Sequence, residues 1–192
     1  VELYEKHGFH AYHLAEHHAT PLGMAPSPSV FLAAVAQRTK TLRFGPLVYT
    51  VNLHHPLRLI DEICMLDQMS GGRLELGVGR GISPYEVGYY GVDPATGSER
   101  FAEALEVLLK GLTQPRLTHE GKYFSFEDVP MEMQPVQRPH PPLWYGANSL
   151  ESADRLAAQG CNTVVGLKAE GVGQFSARYR AAWKSLGRAD QD

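Results

Sequence analysis

A chain of 192 residues that is 43% hydrophobic and 20% charged has ordinary globular composition and material for a sizeable core, so disorder is not the default. Its 18 Lys plus Arg against 21 Asp plus Glu give a formal net charge of -3 with no dense basic block, which argues against a nucleic-acid partner. No run approaches the roughly 18 to 20 uninterrupted apolar residues of a membrane helix and no signal-like segment opens the chain, so a soluble, cytoplasmic protein with no membrane partner is expected.

Val1, Leu3 and Tyr4 followed by His7-Gly8 read as the last turns of an amphipathic helix closing on glycine, so the chain begins in mid-element. FHAYHLA (9 to 15) is a short, mainly apolar strand. SPSVFLAAVAQRT is a helix with Ser27 as N-cap and Pro28 at its first position. TLRFGPLVYTV (41 to 51) is a β-branched and aromatic strand, HHPLRLIDEICMLDQMSGG a long helix stopped by Gly71-Gly72, and RLELGVG (73 to 79) another strand. SERFAEALEVLLKGL is a helix with Ser98 as cap. PLWYGA is a strand, SLESADRLAAQG a helix, CNTVVG a strand and VGQFSARYRAAWKSLG a last helix. Residues 114 to 141 interrupt this rhythm: THEGKYFSFEDV alternates like a hairpin and MQPVQRPHPP is too proline-rich for regular structure. An insertion of this length is expected to be functional or mobile. Strands alternating with helices imply parallel pairing, hence an α/β barrel or an open doubly wound sheet.

HLAEHH (13 to 18) fits the H-x-x-E-H pattern of some zinc peptidases. That reading needs a helix, where residues four apart have Cβ atoms roughly 5 to 6 Å apart. On a strand His13 and His17 lie roughly 13 Å apart and cannot share an ion. The run reads as strand, so no metal site is expected; Cys64 and Cys161, with no C-x-x-C pair, offer neither a thiolate zinc site nor a disulfide framework. Glu16, His17 and His18 then stand just past the carboxyl end of a strand, the rim where parallel α/β folds bind ligands.

Three further features join them. RLELGVGRG is a weak dinucleotide fingerprint, since Ile82 stands where the third glycine belongs. As a strand end it places Gly79 where a planar ligand can approach the backbone and Arg80 beside it as an anion clamp, a surface salt bridge being the plain alternative. GANSLESADRL puts Asn148, Ser149 and Ser152 at a helix start, as an anion site or as ordinary capping by Ser149. His54, His55 and Pro56 end a strand, with the mundane role of beginning the next helix.

Together AEHH (15 to 18), VAQRTKTLRFG (35 to 45), HHPLRLIDEICMLDQMSGGRLELGVGRG (54 to 81) and GANSLESADRLAAQG (146 to 160) resemble the bacterial luciferase-like flavin monooxygenases. The resemblance implies a TIM (β/α)8 barrel, usually dimeric, binding reduced FMN at the carboxyl ends of the strands. It places His17 as the catalytic histidine, with Glu16 and His18 flanking the flavin pocket and Glu86 at an acidic position near the active site. Arg80 matches the arginine on the flavin's phosphate side, and Gly79 lies under the isoalloxazine. Asn148, Ser149 and Ser152 fall at the phosphate site, and Leu47-Val48 sits where relatives often carry a cis peptide. Only five barrel strands are readable, so the resemblance also implies an incomplete portion lacking the first and last strands of a single barrel domain.

The activity implied is oxidation of a small organic substrate, an aldehyde, ketone or similar, by O2 through a flavin C4a-peroxide, with a flavin reductase as FMNH2 donor. His17 suits the proton transfer because an ordinary imidazole titrates near 6.5. The insertion at 114 to 141 would cover the site and exclude water. The alternatives are a deazaflavin-dependent oxidoreductase of the same fold, which AEHH disfavours, or a non-catalytic flavin-binding relative.

Overall fold

The computed structural model describes residues 1–189. The chain falls into two compact units, Val1–Pro141 and Pro142–Asp192. In the first, helix α1 (Glu2–Lys6) stops ahead of Gly8 at φ 75, and strand β1 (Ala11–Leu14) follows. Helix α2 (Pro28–Arg38) has Ser27 at its N-cap position, although the hydroxyl makes no capping bond. The strand expected over 41 to 51 is in two pieces, β2 (Arg43–Pro46) and β3 (Tyr49–Thr50), with a cis peptide between Leu47 and Val48. Parallel pairing joins β1 to β2 and β3 to β4 (Leu76–Gly79), so one run of chain serves two neighbours.

Helix α3 (Pro56–Ser70) ends where Gly71 takes φ 65 and ψ 38, a left-handed turn that glycine adopts without a Cβ penalty. The stop aims Arg73 back into the fold. Its guanidinium donates to Ser70 O, Thr39 Oγ1, Leu42 O, Ala36 O and Thr39 O, and lies 5.3 Å from the centroid of the Phe44 ring. Fully buried Asp67 accepts from the backbone N–H of Gln137 at 2.9 Å and from its Nε2 at 2.7 Å. The LDQMSGGR stretch therefore works as scaffold: it nails α2, α3 and β2 together and tethers the proline-rich segment.

Helices α4 (Pro84–Tyr89) and α5 (Gly97–Thr113) follow, then the antiparallel hairpin β5 (Arg116–Glu120) and β6 (Ser125–Pro130). Ser98 is not the cap of α5. Thr96 holds that position and Ser98 lies inside the helix, its hydroxyl accepting from Arg80. The insertion is tied down rather than loose: Glu103 of α5 accepts the backbone N–H groups of Lys122, Tyr123 and Phe124, and Gln137 holds the later part. The core of this unit includes Leu32, Phe44, Leu59, Ile63, Leu76 and Leu108.

In the second unit β7 (Leu143–Ala147) pairs in parallel with β8 (Asn162–Val165), and α6 (Ser152–Gln159) and α7 (Ala169–Ser185) follow the β/α order. Phe175 of α7 is buried, and the Tyr179 hydroxyl donates to Cys161 O at 2.7 Å. Among the described residues no helix is long and apolar enough to cross a membrane.

Candidate active site

β1 ends at Leu14, and the next residues leave the strand at its carboxyl end. Glu16 is 5% exposed, yet no lysine or arginine pairs with it. Its carboxylate accepts the Thr50 backbone N–H at 2.6 Å, His18 Nε2 at 2.9 Å, and His54 Nε2 at 2.9 and 3.2 Å. Burial pushes this carboxyl up, but the His54 ring, the Thr50 N–H and the His18 ring outweigh burial and hold it below the usual carboxylate range. An ionised carboxylate only accepts, so both rings present Nε2–H to it. The Nδ1 of His18 then accepts from the Tyr90 hydroxyl at 2.8 Å.

His17 points to a different acid. Its Nδ1 lies 3.2 Å from Glu86 Oε1, while the other oxygen of Glu86 accepts the His18 backbone N–H, also at 3.2 Å. Glu86 is 7% exposed and is placed by α4, whose N-cap Ser83 accepts the Glu86 backbone N–H. With Nδ1–H on a carboxylate, His17 keeps its Nε2 lone pair with no hydrogen-bond partner among the described residues. That is the arrangement of a base with a fixed tautomer.

Arg80 follows β4 and is exposed, donating to Ser98 Oγ at 3.0 Å, and it forms no salt bridge among the described residues. Beside it Asn52, 3% exposed, donates through Nδ2 to the carbonyls of Arg80 and Gly97, which fixes the amide's orientation and leaves its buried Oδ1 unpaired. Asn52, Arg80, Gly81, Ser83 and Gly97 are among the residues lining a cavity of about 70 Å³. At Gly79 the space a side chain would take is already filled, since an added Cβ would stand 2.5 Å from Val48 Cγ2. The glycine is explained by its neighbour in the cis pair.

The first unit thus brings together Glu16, His17, His18 and Glu86 in one hydrogen-bonded cluster. In the second unit Asn148 and Ser149 follow β7 and are exposed, and Ser152 begins α6. Ser149 does not cap that helix, because Glu151 holds the N-cap position and the Ser152 hydroxyl donates to Ser149 O at 2.7 Å. His13 and His17 share no helical face, since β1 is extended; His13 lies 3.8 Å from Glu75. His54, Tyr90 and Asn52 were not among the expected site residues. For His54 a signal existed: His55 takes the N-cap position of α3, which leaves its neighbour free to turn elsewhere.

A model of the luciferase-like monooxygenase family matches residues 1–192. Protein y4wF of Sinorhizobium fredii is 51% identical over 162 residues, 84% of this chain and 47% of that one. The oxygenase component of a flavin-dependent trigonelline monooxygenase from Acinetobacter baylyi is 31% identical over 85% of this chain and 46% of its own. The oxygenating constituent of 3,6-diketocamphane monooxygenase from Pseudomonas putida, solved with FMN, superposes with a TM-score of 0.88 at 22% identity, covering 99% of this chain and 57% of that one. The chain spans about half the length of the curated relatives it matches, and its β/α order with parallel pairing is part of their TIM barrel. A match along the whole sequence, a shared fold and flavin-dependent relatives make the chain a member of the luciferase-like monooxygenase family.

Proposed function

We propose that the protein is the oxygenase of a two-component system, taking reduced FMN from a separate reductase and using O2 to oxidise a small organic molecule. The observation that carries this reading is His17, locked through Nδ1 by Glu86 with Nε2 open at the carboxyl end of a parallel strand. Reduced FMN, when bound, supplies the electrons and the oxygen activation. The chain's own part is to hold it, to shift a proton and to shield the site.

The residues present fit such a group. Arg80 offers an exposed cation beside the cavity that Asn52 also lines. A phosphate accepts from such a guanidinium. Taken by itself, the second unit offers Asn148, Ser149 and Ser152 around the start of α6 as candidate anion ligands. The open Nε2 of His17 takes a proton from the reacting group and returns it, and Glu86 holds the ring for both steps. Glu16 and His18 brace that pair.

The test is anaerobic titration of the complete protein with reduced FMN, then mixing with oxygenated buffer. Saturable binding and substrate oxidation that His17→Ala lowers by ~10²- to 10⁴-fold is the expected result. Binding of a reduced deazaflavin in place of FMN, or an oxidation yield unchanged in His17→Ala, would refute the reading.

A further inference from the structure

The consecutive histidines His17 and His18 are held very differently. His17 has one ring nitrogen open, whereas His18 has no polar atom of its ring or its backbone N–H left over. Its Nε2 donates to Glu16, its Nδ1 accepts from Tyr90, its backbone N–H donates to Glu86, and its ring meets the Tyr90 ring edge to face at 4.9 Å. Glu86 in turn is the acid that fixes His17. His18 therefore stands between two carboxylates: its ring binds Glu16 and its backbone N–H binds Glu86, so holding His18 in place helps to seat the acid that fixes His17.

Two residues stand at the ends of this chain of bonds. His54 turns its ring back across 38 positions to Glu16, although His55 and Pro56 begin α3 without it. It packs edge to face on the buried Tyr49 ring at 5.6 Å, which holds the imidazole in the plane that reaches the carboxylate. Tyr90, half exposed, sits at the end of α4, the same helix that carries Glu86, so one element delivers both the Glu86 carboxylate and the Tyr90 hydroxyl to residues 17 and 18. We propose that His54 and Tyr90 are positioning residues of this site: His54, through Glu16, and Tyr90, directly, hold the His18 ring in place, and His18, through its backbone N–H, seats Glu86 against His17.

The tautomer network follows from donor and acceptor counting. Glu16 as a carboxylate has no proton to give, so removing either ring donor leaves a buried charge with one fewer partner. Without the Tyr90 hydroxyl, His18 Nδ1 faces no donor and Glu16 alone holds the ring, which is then freer to move. Neither residue is asked to touch flavin or substrate. The proposal rests on the reading of His17 as the working base, but its first measurement does not.

That measurement is long-range ¹H–¹⁵N correlation of the imidazoles in the complete protein, with no flavin added. Wild type is expected to show His18 and His54 protonated on Nε2 and His17 on Nδ1. Tyr90→Phe, which removes only an oxygen from a half-exposed side chain, is expected to shift the His17 ring ¹⁵N signals as well as those of His18, and His54→Leu the same, with His54→Gln restoring the wild-type pattern through its amide donor. With substrate in hand, kcat is expected to fall ~10- to 100-fold in His54→Leu and Tyr90→Phe, the range typical of outer partners of a working histidine, with KM little changed. Unchanged His17 ring signals in Tyr90→Phe overturn the proposal even if His54→Leu does not fold. A wild type with the expected tautomers but no flavin-dependent oxidation leaves the positioning network standing and removes the function proposed above.

Discussion

Replacing Glu16 by Gln exchanges two acceptor oxygens for one acceptor and one NH2 group, while the N–H groups of Thr50, His18 and His54 still converge on the position. At least one of them then meets a donor. Losing one charge-assisted hydrogen bond costs about 1.5–3 kcal/mol, and the donor left unpaired in a site 5% exposed adds about 1–3 kcal/mol. Removing a buried charge, which no longer has to be desolvated, offsets part of this, so the net loss is about 3 kcal/mol. For a chain of this size that lowers Tm by about 6–12 °C at pH 7, measured by calorimetry or circular dichroism. The pH dependence has a fixed sign. The folded-state pKa of Glu16 is depressed, so its contribution is fully present above the unfolded-state value near 4.3 and is lost as pH falls through the folded value. The gap between wild type and Glu16→Gln is therefore expected to be widest at neutral pH and to narrow below about pH 4. A Tm within about 2 °C of wild type at pH 7, or a gap undiminished in acid, would refute the hydrogen-bond accounting.

Arg80→Ala is expected to weaken reduced-FMN binding by ~10- to 100-fold, the loss of one charge-assisted contact; an unchanged Kd in an anaerobic titration removes Arg80 from the site. Phe44→Ala empties a fully buried position under the Arg73 guanidinium and is expected to cost about 3–5 kcal/mol in denaturant unfolding. Gly45→Ala would bring its Cβ to 1.8 Å from Glu75 O, a backbone atom that cannot swing aside, and is expected to cost at least about 3 kcal/mol or abolish soluble expression. Wild-type stability in that variant would show that β2 and β4 are not packed as described.

Periodicity and punctuation carried the β/α order, because each element is announced locally: Pro28 and Pro56 in first turns, Gly71 and Gly160 as left-handed stops. Caps were less legible. A serine near a helix start is a cap only if its own backbone is extended, and both Ser98 and Ser149 lie a few residues from the position their hydroxyls were expected to serve. The interruption between β2 and β3 leaves no trace in β propensity, since Leu47 and Val48 are good strand residues; the resemblance to a known family located it. His54 was undervalued because its partner is 38 residues away, a separation at which no spacing rule operates. Scaffold and site were also hard to separate by eye: LDQMSGGR lies within a stretch that carries the family resemblance, and Asp67 and Arg73 in it are engaged with Gln137 and with backbone carbonyls.

The division of labour within AEHH has a simple geometric origin. In extended backbone, side chains alternate, so residues two apart share a face and lie roughly 6.6 Å apart, while the residue between them faces the other way. Residues 16 to 18 lie just past β1, and their hydrogen bonds divide in the same way: Glu16 and His18 meet each other at 2.9 Å, and His17 turns to Glu86 on α4. A helix would have brought His13 and His17 together instead and made a different site from the same letters. Placing the stretch beyond a strand end is therefore what separates an imidazole with one open nitrogen from a fully bonded one. The short α4 then joins the two, because its Glu86 accepts from the His17 ring and from the His18 backbone N–H at the same 3.2 Å. Displacing α4 would remove the Glu86 contacts of both residues at once, so the orientation of the His17 ring is tied to the seating of a six-residue helix as well as to the end of β1.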